Sequence, residues 1–187
     1  MKRILILALC GIAVFCGCKK TNENVPAEPQ AQEETYLTAI DNYMTEMGSQ
    51  YTQGEYCIPY ALIVATDESN PEDIKVWGDF RVENYNVEGD TLVNVSGGSH
   101  PGLMHVSKTD DGFRVVGFDA VGDGSDFLPM AKALFGDCFD AFMEMQSNDE
   151  AKIAARKQAL AAYAAANNLP VTCYQDFGWP AEKISEE

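Results

Sequence analysis

Residues 96–102 have the sequence SGGSHPG and contain one of the two histidines of the chain. Ser96, Ser99 and His100 are close in sequence, and serine and histidine serve as nucleophile and base in acyl transfer. The glycines and the proline in the same segment are typical of a tight reversal between two strands. We therefore interpret the segment first as a structural turn, with a ligand-contact loop and a catalytic site as alternatives.

A catalytic site here would be hydrolase-like and would combine His100 and Ser99 with an acidic partner. Acidic candidates follow at Asp119, Asp123 and Asp126. However, adjacency in the chain does not place a serine hydroxyl within hydrogen-bond reach of an imidazole. The G-x-S-x-G elbow of many hydrolases is also missing. The prediction is therefore no catalytic residue, and the enzyme that uses His100 is the alternative.

The same three aspartates lie in the stretch FDAVGDGSDF and offer the carboxylate oxygens that calcium prefers. Their spacing lacks the alternating acids and the terminal glutamate of an EF-hand loop. A serine or aspartate directly before a helix is more simply an N-cap, and Ser125 and Asp126 occupy such a position. We predict no metal and no cofactor, with calcium at Asp119, Asp123 and Asp126 as the weaker alternative.

Aromatic residues indicate where a ligand would bind. Most aromatic side chains belong to cores, but the stretch YQDFGWP near the C-terminus is costly to leave in a tail, so we expect it to dock over the sheet. If it lay beside residues 96–102, the two segments would form the rim and floor of a pocket. The predicted ligand-binding residues are Ser96, Ser99, His100, Trp77, Tyr174 and Trp179.

Three cysteines, Cys57, Cys138 and Cys173, lie beyond the N-terminal region and are disulfide candidates. Outside the cytoplasm two of them could pair, which would leave one free, and the sequence does not choose among the three pairings. The alternative is that all three are buried thiols. Because no C-x-x-C spacing is present, neither a zinc site nor thiol redox chemistry is indicated.

Hydrophobic patterns predict the elements that must position these residues. Residues 37–47 repeat apolar side chains on one helical face and predict an N-terminal helix that packs on a sheet. Residues 56–67 have the apolar and β-branched density of a buried strand, and Pro59 indicates a bulge or a sheet edge near its start. Two hairpins follow, with turns at residues 88–90 and 111–112.

Helices return after the second hairpin. Ser125 or Asp126 can cap a helical segment that runs to about Phe135, Gly136 interrupts it, and residues 137–147 continue the helical pattern. An alanine-rich helix follows up to Asn167. Ser147 and Glu150 have the spacing of a capping box at the start of that helix. A last extended segment could return to the sheet edge. The sequence thus predicts an α+β fold with an N-terminal helix, an antiparallel meander of four to five strands, two to three C-terminal helices and a short terminal strand.

The N-terminus predicts export. Two basic residues precede an apolar run that is too short to span a bilayer comfortably, as in a signal peptide. The following FCGCKK resembles the bacterial lipoprotein signal, which implies that Cys18 is lipidated and becomes the mature N-terminus. Residues 19–34 are polar and carry no apolar periodicity. We predict a signal peptide at 1–17, a lipidated flexible tether at 18–34 and a single α+β domain at 35–187.

The charge of the chain excludes one class of function. The formal net charge is −16, and removal of the signal peptide would make the chain more acidic because it takes away Lys2 and Arg3. Such a surface repels nucleic acid, since binding to phosphates requires clustered Lys and Arg. The expected partners are a membrane, through the lipid anchor, and a small molecule or an envelope protein.

Two further resemblances concern the domain. A long helix against an antiparallel sheet resembles, by topology only, the cystatin-like and nuclear-transport-factor-like folds. The segments WGDF, SGGSHPG, VGDGSDF and YQDFGW together resemble an uncharacterised group of secreted bacterial proteins, which implies a location but no mechanism. The sequence predicts a lipid-anchored extracytoplasmic binding or accessory protein of the bacterial envelope. It would be attached to the outer membrane and face the periplasm or the cell surface.

Overall fold

Helices cover both faces of one sheet in this chain. The structure is a computed structural model that describes residues 35–185, so the predicted signal peptide, Cys18, the tether and residues 186–187 lie outside the described part. The helices are α1 (Tyr36–Gly48), α2 (Phe127–Phe135), α3 (Phe139–Ser147) and α4 (Asp149–Ala166). The strands are β1 (Tyr56–Asp67), β2 (Ile74–Glu88), β3 (Thr91–Thr109), β4 (Gly112–Ala120), β5 (Cys173–Gln175) and β6 (Glu182–Lys183).

This order confirms the predicted α+β fold: one helix, a meander of four antiparallel strands, three helices and a short terminal strand. The first hairpin turn lies at residues 89–90, as predicted, and the second lies at residues 110–111, one residue before the predicted pair, because Gly112 already begins β4. The two-residue strand β6 has no counterpart in the prediction, because so short a segment carries no periodic pattern. Within residues 35–185, no helix is both long and apolar enough to cross a membrane.

The long strand β3 organises the sheet. One side of it pairs with β2 along almost its whole length. The other side pairs with β5 at residues 91–93, in parallel, and with β4 from Gly102 onward, while the carbonyl of Pro101 accepts a hydrogen bond from the amide of Val121. Residues 94–100 therefore have no strand partner on that side within the described sheet. We call this opening between β5 and β4 the sheet gap.

One prediction about this segment is wrong: residues 96–102 are not a turn but the middle of β3. Gly97, for example, pairs with Glu83 of β2, and a Cβ atom there would approach the carbonyl oxygen of Val82 to 2.5 Å. Glycine is required in this strand for close approach of two backbones, whereas the sequence suggested a reversal of direction.

The two faces of the sheet carry different helices. On the first, which we call the α1 face, α1 packs over apolar side chains of β2 and β3. On the second, the α4 face, α2 and α3 cover one end and α4 covers the other. The core of the α1 face comprises Ile40, Met44, Val76, Phe80, Val82, Met104 and Val106. Two separate apolar clusters on the α4 face leave its centre to polar residues.

The start of α4 differs from the prediction by one residue. Asn148 caps this helix, because its Oδ1 accepts a hydrogen bond of 3.0 Å from the amide of Ala151. Ser147 ends α3 instead, and its hydroxyl donates to the carbonyl of Glu144 at 2.9 Å. The predicted capping box of Ser147 is therefore wrong, since a single residue separates α3 from α4.

Candidate functional site

A polar recess lies at the sheet gap on the α4 face. Its volume is about 270 Å³. Side chains from β2 and β3 form its floor, and α4 and the segment after β5 form its wall. The lining residues are Arg81, Glu83, Asn94, Gly97, Gly98, Ser99, Arg156 and Asp176.

Strand alternation brings the floor residues together. Asp79, Arg81 and Glu83 are spaced by two along β2, so their side chains share one face of the sheet. Ser99 of β3 pairs with Arg81 and therefore points to the same face. The local sequence DFRVE places charged residues and apolar residues alternately, with Phe80 and Val82 buried on the α1 face.

Asp79 is a fully buried carboxylate that the recess neutralises. Its Oδ2 accepts a hydrogen bond of 2.8 Å from Nε of Arg81, and its Oδ1 accepts one of 2.6 Å from the hydroxyl of Ser99. Burial disfavours the guanidinium cation, but the charge and hydrogen bond of Asp79 together with the contact of Tyr60 outweigh this effect and raise the pKa of Arg81. Both carboxylate oxygens of Asp79 therefore have a hydrogen-bond partner.

Glu83 joins the floor to the wall. It accepts hydrogen bonds from the hydroxyls of Tyr60, at 2.9 Å, and Tyr85. It also forms an ion pair with Nε of Arg156 at 2.7 Å. Burial, and then the charge of Glu83, raise the pKa of both tyrosines, so both remain protonated donors at neutral pH.

Arg156 of α4 fixes the segment that follows β5. Its Nη1 and Nη2 donate to the two carboxylate oxygens of Asp176 at 2.8 and 2.6 Å. The guanidinium carbon lies 4.7 Å from the ring centre of Tyr174, which adds a cation–π contact. Burial disfavours the cation, but the hydrogen bonds to Asp176 together with the interactions with Tyr85 and Glu83 outweigh this effect and raise the pKa of Arg156. The wall of the recess is thus rigidly attached to α4.

An aromatic turn begins at Asp176. The amide of Trp179 donates to the carbonyl of Asp176 at 3.0 Å, and Gly178 adopts a positive φ of 79° that the turn requires. Phe177 is 95% exposed and Trp179 is 71% exposed. A turn that is held at its base and presents two aromatic side chains to solvent is typical of a binding surface.

The aromatic residues differ in their roles. The expectation that YQDFGWP docks over the sheet is wrong for Trp179, whereas Tyr174 is buried and its hydroxyl donates to Glu182 at 3.0 Å. Trp77 packs with the α2 and α3 cluster, and its Nε1 donates to the carbonyl of Leu134 at 3.0 Å. Trp77 therefore attaches α2 to the sheet and does not line the recess.

Ser99 and His100 lie on opposite faces of the sheet, as successive strand residues must. Ser99 reaches the recess, whereas Nε2 of His100 lies 3.0 Å from the hydroxyl of Tyr51 on the α1 face. Ser96 is on the α1 face too, where its hydroxyl donates to the carbonyl of Thr52 at 2.5 Å. Ser99 and His100 therefore form no nucleophile and base pair. Burial lowers the pKa of His100, which keeps its ring neutral at pH 7.

The calcium alternative also lacks a suitable geometry. Oδ2 of Asp119 lies 3.4 Å from Nε2 of His105, whose Nδ1 is 2.6 Å from Asp73. Asp126 occupies the N-cap position of α2 but makes no side-chain capping bond. No group of three or more His, Cys, Asp or Glu side chains within residues 35–185 is arranged to hold a metal ion.

The three cysteines of the domain are free and half-buried, so none of the candidate disulfides is formed between them. Burial raises the pKa of the thiols of Cys57 and Cys138. Both are therefore protonated at neutral pH and weakly nucleophilic.

The sequence interpretation missed most of the recess. Only Ser99 of the predicted ligand-binding residues lines it. A usable signal existed for the floor, because Asp79, Arg81 and Glu83 alternate with the apolar Phe80 and Val82, and buried charges require partners. The wall gave a weaker signal: Arg156 is one of three basic residues in the alanine-rich helix α4.

Comparisons with protein-family models, with curated proteins and with solved structures found no match. The lipoprotein signal and the other resemblances therefore stay predictions, and the recess is interpreted from its own geometry.

Proposed function

We propose that this chain is a lipid-anchored binding protein of the bacterial envelope, and that the recess at the sheet gap binds a neutral, hydroxyl-rich ligand such as an oligosaccharide. The observation that carries the proposal is that both arginines of the recess are already paired with carboxylates, which outnumber them three to two. Arg81 and Arg156 face the carboxylates of Asp79, Glu83 and Asp176, so the arginines are already paired. An anionic ligand would have to displace these carboxylates.

A sugar suits the remaining polar groups. Each hydroxyl of a sugar donates and accepts hydrogen bonds, and the recess offers both donors and acceptors in a small volume. The Asn94 amide has two N–H groups, and only one of them is used in its 3.4 Å bond to Glu83. The bond of Arg81 to Asp79 uses Nε, so its Nη groups can also donate, while carboxylate oxygens accept. The glycines of β3 leave the backbone of the sheet gap accessible, because Gly97 is exposed there.

The aromatic turn supports the same class of ligand. The C–H faces of sugar rings are apolar and stack on aromatic rings, which lose little conformational entropy on binding. Phe177 and Trp179 come one and three residues after Asp176 and are exposed, so a ligand longer than one sugar unit could leave the recess across them.

The location of the protein is part of the proposal. Its support is the apolar run, the cysteine at position 18 and the polar stretch to residue 34. Replacement of Cys18 by serine should abolish labelling by radioactive palmitate and release the protein from the membrane fraction. If the Cys18→Ser variant kept its label and its membrane association, the predicted anchor would be wrong.

The ligand is tested on an array of neutral oligosaccharides, each printed beside its sulfated counterpart. The full-length protein should bind neutral glycans and reject their sulfated forms. Asn94→Ala and Trp179→Ala should each weaken binding about tenfold, in line with the loss of a central interface contact. Leu128→Ala is the matched control, because Leu128 is 55% exposed on α2 and does not line the recess. Preference for sulfated glycans, or undiminished binding by Trp179→Ala, would contradict the proposal.

A further inference from the structure

A second groove runs along the free edge of β1, away from the recess. β1 is an outer strand of the sheet and pairs only with β2 among the described strands. Helix α1 borders the groove on one face of the sheet and α4 on the other. Its volume is about 660 Å³, which lies within the range of ligand-binding clefts.

The floor of the groove is an unpaired strand edge. β1 is 12 residues long, and an outer strand of that length presents a row of N–H and C=O groups without strand partners. The outer position of β1 confirms the edge that Pro59 indicated as one of two alternatives, since proline is tolerated where no ladder hydrogen bond is needed. The bulge of β1 lies further on, between Ile63 and Ala65. The edge is therefore open to strand addition over the first half of β1.

The wall on the α4 side is made of small side chains. The lining residues of this helix include Ala155, Ala159, Ala162 and Ala166, which recur on one helical face. A strand that pairs with β1 must lie about 4.8 Å from it. Alanine side chains leave that space free, and larger residues would occupy it.

The wall on the α1 side carries an uncompensated charge. Asp41 lines the groove beside Leu37 and Ile63. Its side chain forms no ion pair or hydrogen bond with the described residues, although eight ion pairs are present elsewhere among them. The carboxylate remains accessible to water, but the groove walls partly desolvate it and raise its pKa to about 6. A cation in the groove would remove this penalty.

We propose that the groove binds an extended segment of a partner protein, which adds a strand to β1 and places a lysine or arginine beside Asp41. The main-chain groups of β1 would give affinity, and Asp41 would select the basic residue. Small or β-branched neighbours in the segment would fit between α1 and the alanines of α4. A second copy of this chain is a poorer occupant, because its surface is strongly acidic.

The test uses a phage-displayed library of random heptapeptides that is selected on the full-length protein. The enriched peptides should share a Lys or Arg among β-branched or small residues. Selection on the Asp41→Asn variant should lose the basic residue, and the best peptide should bind that variant about threefold to tenfold more weakly, as for an accessible ion pair.

A matched pair of variants tests the position of the peptide. Ala162→Leu narrows the groove and should weaken the best peptide more than tenfold. Ala154→Leu makes the same change at an exposed position of α4 that does not line the groove, and should leave binding unchanged. Enriched peptides without a basic residue, or equal binding by both variants, would overturn the proposal. Self-association that only Ala162→Leu abolishes would overturn it too, in favour of a second copy.

Discussion

Arg156 holds Asp176 by two parallel hydrogen bonds of 2.8 and 2.6 Å, and its Nε simultaneously contacts Glu83 at 2.7 Å. One guanidinium from α4 thus connects the centre of the sheet to the aromatic turn. The side chains of Arg156 and Glu83 are only 13% and 14% exposed. Removal of the cation would leave a nearly buried carboxylate without its charge partner.

We therefore expect Arg156→Met to destabilise the domain by about 3 kcal/mol, the typical cost of breaking a buried ion pair. Chemical denaturation at pH 7.5 measures this loss. The control is Lys157→Met. Lys157 makes a 3.5 Å contact with the exposed Glu182 and lies 5.8 Å from the ring centre of Tyr174, and the loss of these contacts near the surface should cost under about 1 kcal/mol. Equal losses for both variants would mean that Arg156 acts as a surface charge.

The cap of α4 gives a prediction with a built-in control. Asn148→Ala removes the side-chain acceptor for the amide of Ala151 and should cost about 1 kcal/mol of stability. Ser147→Ala removes a hydroxyl that bonds within α3 and should change stability by less than about 0.5 kcal/mol. Thermal unfolding of the two variants measures both changes. The reverse ranking would restore the capping box that the sequence suggested.

Asp41 should destabilise the fold at neutral pH. Its pKa is about 6 in the folded chain against 3.8 for the free side chain, so its stabilising contribution is present below about pH 4 and is lost as the pH rises through 6. Asp41→Asn should therefore raise the melting temperature at pH 7.5, by the equivalent of about 1 kcal/mol after allowance for solvent screening. This gain should disappear near pH 4.

Asp149→Asn provides an opposite-sign control for that experiment, since it changes the net charge equally. The side-chain hydrogen bond and charge of Lys152 lower the pKa of Asp149, so its contribution is present above the ordinary aspartate pKa and is lost as the pH falls. Asp149→Asn should lower the melting temperature at pH 7.5. If both variants raised it, general charge repulsion would explain the result and the groove around Asp41 would not.

His100 should stabilise the fold in its neutral form. Burial lowers its pKa from 6.5, so its contribution is present above pH 6.5 and is lost as the pH falls through the folded value. His100→Gln should cost about 1 kcal/mol at pH 7.5, where the contact with Tyr51 is lost. The difference from the native chain should narrow by pH 5. A difference that widens instead would mean that the imidazolium is the stabilised form.

Local patterns predicted most of the fold. Helix α1, the two hairpin turns and the alanine-rich α4 follow from short-range periodicity and turn chemistry. The structure of residues 96–102 could not be predicted from such local patterns, because glycine and proline favour a turn locally while pairing with β2 imposes a strand. That pairing is tertiary information, and it overrides the local preference.

The candidate site depended on such tertiary information even more. Strand alternation alone would have separated Ser99 from His100 once the segment was assigned to a strand. The meeting of Arg156 with Glu83 and Asp176 could not be predicted, since it requires the position of α4 on the sheet. The sequence therefore indicated the segment of β3 at the sheet gap but not the residues that face it.

The parts of the recess are synthesised at different times, because its floor and its wall come from distant parts of the chain. Thr172 contacts Asp90 across 82 residues of chain, so β3 is synthesised long before β5 can join it. A nascent chain can form the hairpins from β1 to β4 early, but the wall of the recess arrives only with Arg156 and Asp176. The proposed site is therefore complete only once the C-terminal segment has been synthesised, and a chain that ends before β5 would lack Asp176 and the aromatic turn.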